Sequence, residues 1–349
     1  MAAFATIPYI RFSIRAPGEY FPWIFLMVSF LGFYLWFIPA PMIVRIVSTG
    51  AFFNALMSTA PLVSFIAYIS LIGCCYFYLL VYSIKNFTPV FKILYAMLIL
   101  HSAMFLAQAF GVDTLLNYNN NMTFGIVGQY MQSASFIVIL TAALLPFNRF
   151  TSIFSLIISL ICNSTGAFLS TALGIAVYFR KNKKYIEWLF LGLVPAALAW
   201  IWIGGDFSTN TSLEAGRMAV WVKTFQLSMQ HPFVGWGAGT FQYIFPAICG
   251  LGTMIWKTAH NCWLQILFEC GAAGFGIVFG YFVYLSVSLW RLIRRSLFKC
   301  QATACLSGLV MIASNMCYHF PTRMIQSVLI IIFFLAYCQR VVDNAKQQS

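Results

Sequence analysis

Long apolar segments, separated by short polar breaks, recur along most of the chain. A bilayer core about 30 Å thick needs roughly 20 apolar residues in a helical span, and about ten segments approach this length. They lie near residues 20–39, 61–83, 88–110, 126–146, 148–164, 165–180, 185–204, 261–290, 303–319 and 322–339. Only the polar sequence NSTG separates the fifth segment from the sixth, so one long bent hairpin is an alternative for that pair. The pattern predicts an all-α, polytopic transmembrane helical bundle in which residues 1–349 form a single membrane domain.

The longest polar interruption, residues 206–259, separates the seventh predicted span from the eighth. Loops of this length that are not linkers are commonly functional. Thr211 and Glu214 have the T-x-x-E spacing of a capping box, and a helical pattern continues to about Met229. A His-Pro pair then ends the pattern, and the glycines of GWGAGTF favour tight turns. The loop is therefore predicted to be partly helical.

Composition supports the membrane class, because 62% of the residues are hydrophobic and only 8% are charged. The net charge of +13 does not indicate a nucleic-acid partner, since the basic residues fall mostly in loops on one side of the predicted bundle and form no basic face. The positive-inside rule makes that side cytoplasmic. Both termini are therefore predicted inside, and the 206–259 loop is predicted outside.

Several motifs of nucleotide and metal chemistry are absent from the sequence, namely a Gly-rich phosphate loop, GxSxG, HExxH and a D-x-D pair. We therefore expect neither a soluble nucleotide substrate nor a metal or cofactor. The candidates for chemistry are a small set of ionisable and polar residues on the outer side and at membrane depth.

His260 begins the eighth predicted span. A helical wheel places Leu264, Leu267, Gly271 and Gly274 near its own face. The two glycines would permit close approach of a second helix or an acyl chain, so a lipid-borne substrate is one interpretation. An interfacial histidine that caps the helix is the other.

Four further residues have similar alternatives. Arg217 has the planar fork that matches phosphate oxygens, but Glu214 lies three residues earlier, so a surface ion pair also explains it. Lys257 either complements a phosphate or flanks the span. Glu269 and Gln129 lie at membrane depth, where function is the first hypothesis and pairing between helices is the alternative.

Together these residues resemble the signature of the O-antigen ligases, within the wider O-antigen ligase and polymerase family. His260 and Asn261, nine further residues and then Gly271-x-x-Gly274 match HN-x9-GxxG. Arg217 followed by HPFVGWGAGTF is similar to the element that precedes this motif, and the order of elements agrees over residues 125–290. One departure is NSTG, which stands where family members often carry Ser-Arg-Gly.

The resemblance implies a membrane glycosyltransferase on the periplasmic side of the bacterial inner membrane. Its donor would be a glycan on undecaprenyl diphosphate, its acceptor the lipid A core, and its transfer inverting and independent of metal. Arg217, aided by Lys257, would neutralise the departing diphosphate, and His260 would act on the acceptor hydroxyl. Asn261, Gly271, Gly274, Glu214 and Gln129 are then expected to contact substrate.

Two alternatives stay open. A polymerase of the same family would use a second lipid-linked glycan as acceptor. A flippase of lipid-linked oligosaccharides would bind the same head group with its outer cations and perform no chemistry. Membrane lipids are expected partners in every case.

Overall fold

The computed structural model describes residues 72–109, 130–148, 150–161, 164–180, 207–249, 256–295, 298–319 and 324–348, together with residues 67, 70 and 321. These residues form ten helices and no strand, which confirms the all-α class for the described part of the chain. The helices are α1 (Ile72–Tyr82), α2 (Thr88–Ala109), α3 (Tyr130–Leu144), α4 (Thr151–Ile161), α5 (Thr165–Phe179), α6 (Phe207–Ser228), α7 (Phe241–Cys249), α8 (Cys262–Arg294), α9 (Lys299–Tyr318) and α10 (Ile325–Gln347).

Four of the described helices are long and apolar enough to cross a membrane, namely α2, α8, α9 and α10. Each corresponds to one predicted span. Helices α1, α3, α4 and α5 are also apolar but have fewer than 18 residues each. The predicted spans 20–39 and 185–204 lie outside the described residues, so the count of ten spans stays a prediction.

The fifth and sixth predicted spans form a hairpin of two short helices. Helices α4 and α5 have 11 and 15 residues and pack against each other. Ser155 Oγ and Thr171 Oγ1 share a buried hydrogen bond of 2.8 Å across this contact. The arrangement corresponds to the hairpin alternative for this pair.

Helix α3 is the centre of the bundle, because it contacts α2, α4, α5, α9 and α10. All residues 133–145 are buried. The Nδ2 amide of Asn315 on α9 donates to Ser135 Oγ at 2.7 Å, so a buried polar contact joins α3 and α9 within the core. At Gly308 an added Cβ would lie 2.4 Å from Phe334 Cζ and 2.6 Å from Ala142 O, so α3, α9 and α10 approach one another closely there.

The bundle has two chemically different ends. Helix α8 runs away from His260 and α9 returns to His319, so these two histidines lie at one end, which we call the site end. The other, which we call the basic end, collects most of the described cations: Lys85, Lys92, Arg180, Arg291, Arg294, Arg295, Lys299, Arg340 and Lys346. This separation agrees with the one-sided charge seen in the sequence, while the orientation in a membrane stays a prediction.

The start of α6 differs from the prediction. The helix begins at Phe207, so Thr211 lies inside it, and the proposed N-cap at Thr211 is wrong. The sequence Ser208-Thr209-Asn210 contains neither glycine nor proline, so nothing local stops the helix from extending towards its N-terminus. The predicted end near Met229 agrees with the observed end at Ser228.

Helix α8 also differs, because it is not a continuous helix. Its backbone leaves the helical region at Gly271, where φ is 64° and ψ is −170°. The wheel that placed Gly271 and Gly274 on the face of His260 assumed an unbroken helix and is therefore wrong. The cause is a loop that packs against the break, described below.

Candidate active site

A hydrogen bond connects helix α6 to the segment that precedes α8. Trp221 Nε1 donates a hydrogen bond of 2.8 Å to the carbonyl oxygen of Ala259, the residue before His260. Arg217 lies one helical turn before Trp221, on the same side of α6. This contact brings Arg217 and His260 to the same site although they are far apart in the chain.

The ring of His260 is linked to α6 through Trp256. The two ring centroids are 5.4 Å apart, with an interplanar angle of 85°. Trp256 in turn lies against Gly216, where an added Cβ would come within 3.2 Å of Trp256 Cζ2. The backbone of His260 is left-handed, with φ 51°, which histidine adopts more readily than most residues with a side chain. The imidazole therefore has a defined position beside α6.

The pKa of His260 is lowered to about 4. The larger cause is burial, which penalises the charged imidazolium, and the second is the positive charge of Arg217. His260 is therefore neutral at pH 7, and a neutral imidazole has one unprotonated ring nitrogen that can accept a proton.

A second imidazole, His319, belongs to the same site. It follows the last residue of α9, and only 6% of its surface is exposed. Its Nε2 lies 3.2 Å from Ser164 Oγ, and its carbonyl oxygen accepts a hydrogen bond of 3.4 Å from the thiol of Cys262. Burial, followed by the charges of Arg217 and His260, lowers the pKa of His319 to about 3, so this ring is also neutral.

Ser164 connects α5 to this site. It is the N-cap residue of α5, but its side chain makes no capping hydrogen bond and contacts His319 instead. Gly166 allows the close approach of α9, because an added Cβ would lie 2.6 Å from Tyr318 Cβ and 3.2 Å from His319 Nε2. The sequence alone does not place His319 at this site, because only tertiary packing brings α5, α8 and α9 together here.

The loop after α6 packs against the break in α8. An added Cβ on Gly271 would lie 2.4 Å from the carbonyl carbon and oxygen of Phe233, so only glycine fits. Gly235 has the reciprocal constraint, with an added Cβ 2.5 Å from the backbone of Glu269 and Gly271. Four backbone hydrogen bonds join the loop to α8: Trp236 N to Phe268 O (2.8 Å), Gly237 N to Glu269 O (2.9 Å), Ala272 N to Pro232 O (2.7 Å) and Ala273 N to Phe233 O (3.1 Å).

Protein atoms lie close to both glycines of the predicted groove. The space beside Gly271 is filled by the backbone of Phe233. Gly274 is buried, and an added Cβ there would lie 2.3 Å from Cys270 Cβ. A substrate contact at either glycine stays a prediction.

Glu269 stabilises the same loop with its carboxylate. Oε2 accepts a hydrogen bond of 2.9 Å from Gly239 N, and Oε1 accepts one of 3.3 Å from Phe241 N. Gln265 Nε2 donates to Oε1 at 3.0 Å. Because Phe241 is the first residue of α7, the carboxylate also lies at the positive end of that helix. These contacts account for an acidic residue inside an apolar helix.

The remaining predicted site residues have more varied positions. Asn261 caps α8, since its Oδ1 accepts a hydrogen bond of 3.1 Å from Leu264 N. Lys257 is exposed on the segment that precedes α8. Gln129 and the side chain of Glu214 lie outside the described residues. A substrate contact at any of these four residues stays a prediction.

Residues 150–279 match the sequence model of the family described as O-antigen ligase. No curated protein matches the chain. The matched region begins just before α4 and ends within α8, so it contains Ser164, Arg217 and His260 but not His319.

Proposed function

We propose, from the match of residues 150–279 to the O-antigen ligase family, that the protein transfers a glycan from undecaprenyl diphosphate to the lipid A core. The family match supports a glycosyltransferase-like enzyme of polysaccharide biosynthesis that acts on lipid-linked glycans in a membrane. The donor, the acceptor, the bacterial inner membrane and the periplasmic side belong to the proposal. The observation that carries it is the meeting of Arg217 with His260 at the start of α8.

Arg217 is the proposed ligand of the donor diphosphate. Its guanidinium presents several donors in one plane, which suits the oxygens of a phosphate. As the bond from the sugar to the diphosphate breaks, negative charge grows on the leaving group, and a fixed cation stabilises this charge more than it stabilises the ground state. Because Arg217 supplies the positive charge that the leaving group needs, we propose that transfer needs no metal ion. Transfer that persists after removal of divalent cations with a chelator would support this part.

His260 is the proposed base for the acceptor. The acceptor hydroxyl oxygen forms a bond to the anomeric carbon, the bond from that carbon to the diphosphate breaks with inversion, and the hydroxyl proton passes to His260. Burial and the positive charge of Arg217 keep His260 a weak base. A diphosphate bound at Arg217 would offset the positive charge and raise the basicity of His260. Base strength would therefore rise when the donor is present.

A deletion strain tests the proposal through its lipopolysaccharide. Loss of polymer from the core, with polymer accumulating on the carrier lipid, is the result expected for a ligase. A core that carries a single repeat unit indicates a polymerase. Complementation with wild type and with His260→Asn separates loss of chemistry from loss of the protein, provided that both accumulate to the same level.

A proteoliposome assay tests the flippase alternative. Labelled lipid-linked donor is supplied without an acceptor, and both its leaflet and its diphosphate bond are followed. Donor that crosses the bilayer with the diphosphate intact would contradict the glycosyltransferase proposal. Cleavage of the sugar-diphosphate bond only when acceptor is added would support it.

A further inference from the structure

A cavity of about 330 Å³ lies at the basic end, between α2, α3, α9 and α10. We propose that this cavity binds a phosphate group and that the phosphate belongs to the headgroup of an anionic phospholipid. The cavity lies at the opposite end of the spanning helices from Arg217 and His260. The proposal is therefore independent of the proposed transfer reaction.

The charge that lines the cavity favours an anion. Lys85 and Arg340 both line it, together with the amide side chains of Gln301 and Asn344. Thr88, the first residue of the 22-residue helix α2, lies in the same wall and brings the positive end of that helix to the cavity. Among the described residues, no carboxylate lines the cavity. A phosphate there would meet two cations and several hydrogen-bond donors.

The carboxylate closest in sequence, Asp343, is engaged outside the cavity. Tyr82 OH donates to its Oδ2 at 2.8 Å, and Gln339 Nε2 lies 2.9 Å from Oδ2 and 3.0 Å from Oδ1. Lys346 Nζ lies 3.9 Å from Oδ1. These contacts direct the negative charge of Asp343 towards α1 and its own helix. The positive charge of Arg340 is therefore not neutralised from within the cavity wall.

Arg340 has a fixed orientation. Its Nη1 donates a hydrogen bond of 2.7 Å to the carbonyl oxygen of Tyr82, and its guanidinium lies 5.8 Å from the centroid of the Tyr82 ring. Holding one edge of the guanidinium reduces the conformational entropy that binding a phosphate would cost. Lys85, by contrast, is exposed and supplies a charge on a flexible stem.

Aromatic side chains form the apolar wall of the cavity. Phe91 contacts Phe147 and Tyr337, with ring centroids 5.7 Å and 5.1 Å apart, and Phe87 contacts Tyr337 at 5.0 Å. All four residues line the cavity. A volume near the lower limit for small-molecule sites, which is about 300 Å³, suits a headgroup and its glycerol better than a whole lipid. Cations beside aromatic rings at the end of spanning helices match the boundary between headgroup and acyl chain.

The experiment compares phosphatidylglycerol with phosphatidylcholine as probes, using purified and delipidated full-length protein. Binding is measured by native mass spectrometry and by the rise in apparent Tm. We expect wild type to bind phosphatidylglycerol roughly tenfold more tightly than phosphatidylcholine, and Lys85→Gln/Arg340→Gln to lose this preference. Lys85→Gln alone should weaken it in part, and this variant removes only an exposed side chain. The preference would then depend on these two cations.

The matched control is Arg291→Gln/Arg295→Gln, which removes the same charge from the same end at exposed positions that do not line the cavity. It should keep the preference for phosphatidylglycerol. If the control and the cavity variant lose the preference for phosphatidylglycerol equally, or if neither loses it, the proposed site is wrong. Inorganic phosphate serves as a third probe, because the lipid is the source only if millimolar phosphate fails to reproduce the stabilisation. Phosphate alone giving the full effect would overturn the lipid assignment.

Discussion

Gly271→Ala should uncouple the loop that follows α6 from α8. The residue has φ 64° and ψ −170°, a backbone region that is essentially restricted to glycine. The added methyl would also lie 2.4 Å from the backbone of Phe233, which is rigid and cannot rotate away as a side chain would. The backbone strain and the steric clash both act where the loop contacts α8. Relieving either of them requires α8 and the loop to separate.

The size of the effect follows from these two costs. Forcing a residue with a side chain into this backbone region costs about 1–3 kcal/mol. Separating the strained junction would break the four backbone hydrogen bonds described above, each worth about 1 kcal/mol net. The clash with Phe233 adds to the first cost, and opening the junction sets an upper limit of about 4 kcal/mol, so we expect a loss of about 2–4 kcal/mol in the free energy of unfolding.

Gly276→Ala and Gly280→Ala are matched controls on the same helix. Nothing lies within 4 Å of an added Cβ at either position, so these substitutions should be neutral or slightly stabilising. The assay is thermal unfolding of purified protein in detergent, with limited proteolysis of the 229–240 segment as a local probe. We expect Gly271→Ala to have the lowest apparent Tm and the fastest cleavage. If it behaves like Gly276→Ala, the packing described for the break in α8 is incorrect.

Three further predictions concern the histidines. The free energy of unfolding should fall as the pH drops from 6.5 towards 4, because in this range the imidazoles of His260 and His319 bind protons in the unfolded state but not in the folded state. Chemical denaturation at pH 7 and pH 5 measures this fall. Arg217→Gln removes the positive charge that helps to lower the pKa of His260, so the pH midpoint for modification of His260 by diethyl pyrocarbonate should rise. An unchanged midpoint would refute the electrostatic contact between the two residues. Ser164→Ala leaves the imidazole of His319 without this partner and should cost about 1–3 kcal/mol of stability, whereas Ser164→Thr should retain most of it, as thermal unfolding will show.

Hydrophobic length predicted the long helices well. The span 88–110 corresponds to Thr88–Ala109, and 322–339 lies within Ile325–Gln347 apart from its first three residues, because a continuous apolar run needs no tertiary information to be recognised. Arg217 and His260 were also identified before the fold was known, through their place in a family motif. The local sequence did not reveal that Trp221 and Ala259 join them.

The break at Gly271 was missed because paired small residues in an apolar run are compatible with a continuous helix. Its cause lies far upstream, in the backbone of Phe233 that occupies the space beside Gly271. His319 was missed for a related reason, since its neighbours Ser164 and Cys262 come from other helices. Both features depend on contacts between distant segments, which periodicity along one helix cannot report.

The most direct test of the central claim measures donor binding and single-turnover transfer separately in Arg217→Lys and His260→Asn. Lysine keeps the charge but not the bidentate fork, and asparagine tolerates the left-handed backbone of His260 better than alanine does. We predict that both variants lose about a hundredfold or more in transfer, which corresponds to roughly 2–4 kcal/mol, and that only the Arg217 variant binds the donor more weakly. Near wild-type transfer by both variants would contradict a shared site for glycan transfer at these two residues.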